Sequence, residues 1–240
     1  MTEHISRKEL KQDKIKETFE HGAEAVLSHG QFALLLVTVV VAIALGFGGW
    51  RLYTEHKTVE ASAALDTAMK AFQGRIAPAP DPNEPSEPVY ADDAARLQDA
   101  AQKFSAVADK YPSTNPGRLA RYYHAICLED QERQNQALEE LRKINSSNDK
   151  ELAAMARYQM AVIYFRTGKF SDAERAFREL ADNPSVLVPR SLSLIELAGV
   201  LRQTNPKEAN AVYHQIKKEF TDPTIQDQAD RGLEMLAPNS

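Results

Sequence analysis

Residues 120–125 read ARYYHA, and 36 positions later residues 156–161 read ARYQMA. A fixed period constrains the fold strongly, because each unit must bury its apolar face against its neighbours. Laid on itself at an offset of 36, the chain keeps a register. Ala125 meets Ala161; Ala137 meets Ala173 and Ala209; Leu141 meets Phe177 and Tyr213; Ile144 meets Leu180 and Ile216. A fourth copy, Ala100, Phe104 and Val107, lies 37 positions before the first. An alanine, a large apolar residue four later and an aliphatic three after that share one face of a helix. The alanine on that face, with Ala125 or Ala161 on a preceding helix, lets two backbones approach closely. The unit is a helical hairpin, and a stack of such hairpins is an all-α solenoid.

The punctuation between these segments agrees. Pro112 and Pro116, Asn145 to Asp149, Pro184 and Pro189, Asn205 with Pro206, and Asp222 with Pro223 interrupt segments of about 12–15 residues, the length of paired short helices. Strand-like alternation is absent. Ser171 followed by Glu174 predicts a capping box opening the second helix of the middle repeat. Asn205, Pro206 and Glu208 predict the same one repeat later. Gly168 falls between two helices, where positive φ is often needed. Residues 224–236 predict a terminal helix that caps the stack.

A second feature is the uncharged run from Phe32 to Gly49, FALLLVTVVVAIALGFGG, in which Thr38 is the one polar residue. Eighteen residues at about 1.5 Å each span roughly 27 Å, close to a bilayer core. Trp50 and Tyr53 follow at the exit, where such rings favour the membrane interface. About thirty residues precede the run and no A-x-A site follows it, so it reads as a signal anchor and not as a cleaved peptide. Ala42 with Gly46 and Ala44 with Gly48 give small-xxx-small spacing, which serves helix dimerisation or is simple membrane composition. Lysines and arginines leave the orientation undecided: five in the tail (Arg7, Lys8, Lys11, Lys14, Lys16) stand against four after the run (Arg51, Lys57, Lys70, Arg75).

The expected domains are therefore a charged helical tail over 1–30, a transmembrane anchor over 31–50 and a repeat domain over 59–236. The tail lies on a membrane or a partner, or is a solvated helix. Val59 to Phe72 is alanine-rich and helical, and continuity with the anchor is open. Residues 77–88, APAPDPNEPSEP, hold five prolines, a density that forbids helix and sheet and leaves a flexible loop or a docking site for a proline-reading partner.

The stretch ARYQMAVIYFRTGKFSDAERAFRELADNP resembles a tetratricopeptide repeat. Ala161, Tyr164, Gly168, Phe170, Ala173 and Phe177 match that family's small and aromatic columns, and Pro184 lies near its closing proline. The 120–148 copy has Leu128 and Glu132 where the tyrosine and glycine belong; the 192–220 copy has Leu197 in place of the mid-helix alanine. The whole layout, a charged tail, an anchor ending in GWRLY, an alanine-rich helix and a degenerate array, resembles the YfgM-like family. These are ancillary subunits of the bacterial Sec translocon, anchored in the inner membrane with periplasmic repeats. The resemblance implies a cytoplasmic N-terminus. It also implies partners among envelope proteins, the Sec translocon or periplasmic chaperones, with chaperone-like contact to translocating proteins. A scaffold for envelope assembly or cell division and a cytoplasm-facing adaptor are the alternatives.

In tetratricopeptide arrays the first helices of the hairpins line a partner groove. By that resemblance the inward positions are Tyr122, Ile126, Glu129 and Asp130, then Tyr158, Val162, Phe165 and Arg166, then Leu194, Ala198, Leu201 and Arg202. The Lys, Arg and Asn cluster used by chaperone-tail clamps is absent from these columns. The competing expectation is that a neighbouring helix such as 224–236 covers them. No reactive constellation accompanies them. Six scattered histidines form no HExxH or HxxxH pair, and GFGG at 46–49 lies inside the apolar run and not after a strand. His124 reads as a packing or capping residue, and the single cysteine, Cys127, as a small buried hydrophobe. The lone cysteine excludes a disulfide framework, and a net charge of -5 argues against a nucleic-acid binder. NSS at 145–147 is a formal sequon, meaningful only in a glycosylating pathway. The expectation is a non-enzymatic, membrane-anchored binding scaffold with no cofactor, metal or small-molecule substrate.

Overall fold

The computed structural model describes residues 30–77, 88–146 and 148–237. The tail over 1–29, the proline-rich segment between 78 and 87 and Ser147 of the sequon lie outside the described residues. The chain divides into two compact units, Met1–His56 and Lys57–Ser240.

Helix α1 runs unbroken over Gly30–Phe72, so the anchor segment and the alanine-rich segment are one element. It is long and apolar enough to cross a membrane, and none of its apolar window is buried within the protein. Thr38, the polar residue of that window, turns its hydroxyl back onto the carbonyls of Leu34 and Leu35 at 2.5 and 3.1 Å. The hydroxyl is thereby satisfied without water, as an apolar surrounding demands. At the end of the run Arg51 pairs with Glu55 at 3.1 Å.

The second unit is built from helical hairpins. Its elements after α1 are α2 (Asp93–Lys110), α3 (Asn115–Asp130), α4 (Gln134–Asn145), α5 (Lys150–Arg166), α6 (Phe170–Asp182), α7 (Arg190–Thr204), α8 (Pro206–Glu219) and α9 (Pro223–Glu234). Each helix packs on the next, and α9 packs on both α7 and α8. The repeated positions are the core: Ala100, Phe104, Ala137, Leu141, Ala173, Phe177, Leu180, Ala209 and Ile216 are all buried. Burying a phenylalanine or leucine contributes about 1.5–3 kcal/mol. The split first hairpin pairs the end of α1, through buried Ala61, Ala68 and Ala71, with Leu97 and Phe104 of α2. Two short strands, β1 (Arg75–Ile76) and β2 (Val89–Tyr90), pair in parallel across the proline-rich segment. Sequence alternation gave no sign of them, because two residues carry no period.

Five helices carry a side-chain cap, Asp92 for α2, Thr114 for α3, Asp149 for α5, Asn205 for α8 and Asp222 for α9, whereas α7 starts after Pro189 without one. Asn205 behaves as expected, accepting from the Glu208 N–H at 3.3 Å and donating to the Glu208 carboxylate at 2.9 Å. The Ser171–Glu174 capping box does not form. Helix α6 starts at Phe170, Lys169 stands at the cap without a side-chain bond, and Ser171 lies inside the first turn. The reason is the preceding turn. Gly168 at φ +73° lets the Lys169 N–H reach the Tyr164 carbonyl at 2.8 Å and its own N–H reach Phe165 at 3.1 Å, a Schellman closure that leads straight into the next helix. One repeat earlier, Arg133 bonds Leu128 at 2.8 Å and Glu132 bonds Glu129 at 2.8 Å. Glu132 therefore takes the glycine position at φ +59°.

The arginine of each ARY motif fastens its helix to the end of the preceding one. Arg121 donates to the Ala108 carbonyl in the last turn of α2 at 3.1 Å and also bonds Glu140 of α4. Arg157, its repeat counterpart, donates to the Asn145 side chain at the end of α4 at 3.2 Å. Arg121 thereby satisfies a carbonyl that lacks an intrahelical donor, and both guanidinium groups complement the dipole at a helix C-terminus.

Candidate protein-binding face

The first helices α3, α5 and α7 carry the twelve positions that the tetratricopeptide resemblance implies for a partner. On α3, Tyr122 and Ile126 are half-buried, and Tyr122 meets Tyr123 edge-on with centroids 5.7 Å apart. On α5, Tyr158, Val162 and Phe165 are also half-buried. Tyr158 packs edge-on against Phe177 at 5.8 Å, and its hydroxyl donates to Glu196 of α7 at 3.0 Å. Burial, reinforced by the Glu196 carboxylate, pushes the Tyr158 phenol well above its usual range, so it is a donor at neutral pH. Phe165 leans on Phe170 at 5.8 Å.

Between α3 and α5 the face holds a polar lock. The Glu129 side chain is only 6% exposed. It accepts from Arg166 at 2.8 Å and from the Gln159 amide. The arginine itself remains 66% exposed, so one end of the pair is desolvated and the other is wet. Asp130 beside it is exposed, and its carboxyl is pushed up by local desolvation and then by Asp93.

The α7–α8 hairpin is different. Leu194, Ala198 and Leu201 are 4%, 0% and 1% exposed. They lie in the core cluster that includes Ala229 of α9, with Ile225, Leu233 and Leu236 packed against it. They are core and not open surface, packed in a cluster shared by α5, α6, α8 and α9. Arg202 is half-buried and reaches the Met235 sulfur at 2.7 Å. The open part of the face therefore comprises Tyr122 and Ile126 on one hairpin and Tyr158, Val162, Phe165 and Arg166 on the next. Gln159, Glu196 and Tyr123 also belong to its framework. No local sequence signal marks them, since each acts through a residue on another helix or, for Tyr123, through rings of α1 and α2.

Neither residue examined for chemistry has a catalytic setting. Cys127 is fully buried, and burial pushes its thiol up to about 12. His124 is half-buried, and burial pushes its imidazole down. Among the described residues no cluster of His, Cys, Asp and Glu is arranged to hold a metal ion.

The helical pairing, the left-handed turn residues and the alanine columns accord with a comparison to known families. A tetratricopeptide repeat-like domain matches residues 27–186, from the start of the apolar helix through the α5–α6 hairpin. No curated protein and no solved structure matches the chain. The match spans most of the chain and takes in the hairpins through α5–α6: the chain belongs to the tetratricopeptide repeat-like domain family.

Proposed function

We propose that this chain is a single-pass membrane protein that holds other proteins on the Tyr122–Tyr158–Phe165 face and performs no chemistry itself. A tetratricopeptide repeat-like domain supports protein–protein interaction in general. The observation that carries the finer reading is the half-exposure of aromatic and aliphatic side chains on α3 and α5, where the equivalent residues of α7 are covered. Amphipathic rings with few rotatable bonds are favoured contact residues at protein interfaces. The apolar window of α1 supplies the tether. Confinement to a membrane raises the effective concentration of the face for partners on that membrane.

The resemblance of the layout to YfgM-like subunits favours the bacterial inner membrane and periplasmic repeats. It favours the Sec translocon, periplasmic chaperones or translocating chains as partners. Two measurements test this. Protease added to intact spheroplasts digests the repeats if they face the periplasm; protection until lysis refutes that orientation. A photo-crosslinker at Tyr158 or Phe165 captures Sec components or secreted chains in cells. Adducts containing only envelope-assembly or division proteins would refute the secretion reading.

A further inference from the structure

Alternate connections of the array, 111–114, 146–149, 183–189 and 220–222, lie on one edge. A chain of contacts runs along it. The Tyr111 hydroxyl donates to the Glu60 carboxylate of α1 at 3.2 Å. Arg118 shares a cleft with Ser146, Asn148 and Asp149. Glu151, in the first turn of α5, accepts from the 183–189 connection, and Arg190 after that connection pairs with Glu219 at 2.7 Å. Glu60 stands at the start of the repeat unit, which begins at Lys57. The chain therefore enters the repeats from the apolar run at this edge.

The 183–189 connection is the longest of the four. Its backbone is clamped. Glu151 accepts from the Val186 and Leu187 N–H groups at 3.2 and 3.0 Å. The Ser185 N–H donates to the Val188 carbonyl at 3.1 Å, and the Val188 N–H returns to the Ser185 hydroxyl at 3.1 Å. Val188 is buried, yet Val186 and Leu187 are 86% and 56% exposed. Single exposed apolar residues are ordinary; two adjacent ones on a loop held rigid form a displayed tip.

Charge distinguishes what covers such a tip. The carboxylates around these connections are engaged: Asp149 and Asp222 cap helices, Asp182 and Glu219 meet Arg190, Asp109 meets Arg121 and Glu151 clamps the loop. Arg142, Lys150 and Lys218 on the same edge are exposed and have no ion partner among the described residues. Unpaired cations beside an aliphatic tip suit a lipid surface, whose anionic headgroups attract basic residues and whose acyl boundary accepts apolar ones.

We propose that the Ser185–Val188 loop dips into the bilayer that holds α1, with Arg142, Lys150 and Lys218 toward its anionic headgroups. This rests on the reading of α1 as a membrane anchor. It adds a second, peripheral contact that keeps the array from swinging freely on its tether.

The test uses the full chain with Cys127→Ala, reconstituted in vesicles of phosphatidylethanolamine and phosphatidylglycerol. A nitrobenzoxadiazole label is attached to one new cysteine at a time: Leu45→Cys in the apolar run, Asn183→Cys beside the loop tip, and Gln203→Cys at the α7–α8 turn on the opposite edge. Lipids carrying a nitroxide near the headgroup end of the acyl chain are expected to lower emission at 45 and 183 at least about twofold, and at 203 by less than about a tenth. Val186→Ser with Leu187→Ser should restore emission at 183 and leave 45 quenched. Glu151→Gln, which turns one acceptor oxygen into a donor amide, should restore part of it with both apolar side chains still present. Replacing phosphatidylglycerol by phosphatidylcholine should weaken quenching at 183. Quenching at 45 without quenching at 183 would overturn the proposal and leave the anchor standing. No quenching at 45 would overturn the anchor and the proposal with it. A blue shift at 183 without quenching, growing with protein density in the vesicle, would show that a second copy covers the loop, and would also overturn it.

Discussion

Replacing Glu132 by glycine is expected to stabilise the α3–α4 hairpin. Glu132 sits at φ +59°, where its Cβ crowds the following carbonyl; 36 positions later the same turn holds Gly168 at φ +73°. Both turns close through the same pair of backbone bonds, so the substitution alters neither hydrogen bonding nor helix length. An L-residue held left-handed costs about 1–2 kcal/mol. Glycine returns about 0.5–1 kcal/mol of that through its larger loss of backbone freedom on folding. The net gain is about 0.5–1 kcal/mol. The reciprocal change, Gly168→Ala, should cost about 1 kcal/mol, since the space around its Cβ is open and the backbone angle alone is at issue. Thermal melts of the full chain in detergent, followed by circular dichroism, should show Glu132→Gly raising the transition by about 1–4 °C. Gly168→Ala should lower it by a similar amount. If Glu132→Gly lowered the transition while Gly168→Ala also did, Glu132 would not be strained and the equivalence of the two turns would be wrong.

Three further outcomes are expected. Gly117→Ala places a Cβ 1.8 Å from the Tyr111 carbonyl oxygen, an overlap only a shift of the α2–α3 turn relieves; urea denaturation should show a loss of about 2–4 kcal/mol. Arg121→Ala removes a bond to the last turn of α2 and Arg157→Ala a side-chain tie to Asn145 at the end of α4; each should cost about 1–2 kcal/mol by the same assay, with Arg121→Lys failing to restore the multiple bonds of the guanidinium. Cys127 keeps its proton in the fold up to about 12, above the ordinary thiol range, so the native state holds the extra proton and stability present at neutral pH is lost as pH rises from about 8.5 through 12. The fall in urea midpoint over that window should be shallower in Cys127→Ala, and iodoacetamide should label the native thiol far more slowly than the unfolded one.

The period made the hairpins legible because it lives in side chains that must meet across a helix pair, and Ala137, Leu141, Ala173 and Phe177 are all buried as the register required. The left-handed turn was legible at Gly168 because glycine advertises it, and hidden at Glu132, where only the register pointed to it. Ser171 shows the limit of reading a cap locally. Its motif is present, yet the Schellman bonds from Lys169 and Gly168 set the helix start two residues earlier. ARY itself was visible as a recurrence, but the tyrosines drew attention and the arginines hold the joints. Arg121 bonds a carbonyl 13 residues back, a distance at which no spacing rule operates.

The same limit decides the candidate face. Leu194 and Ala198 occupy the register positions of Tyr122 and Ile126, so the sequence pattern treats them alike. In the array α9 follows α7–α8 and packs on both of them, and the α7 positions lie in the same core cluster as Ala229 of α9. A stack of hairpins must end, and its last exposed apolar face needs a cover that no following repeat supplies. Helix α9 and the residue Leu236 just beyond it meet that need with one apolar side that includes Ile225, Ala229 and Leu233, and three of the twelve face positions, Leu194, Ala198 and Leu201, are buried in the same cluster. Periodicity determines which residues share a face. What covers a face is decided by tertiary packing, and the rings of Tyr122, Tyr158 and Phe165 stay half-exposed where Leu194 and Leu201 are buried.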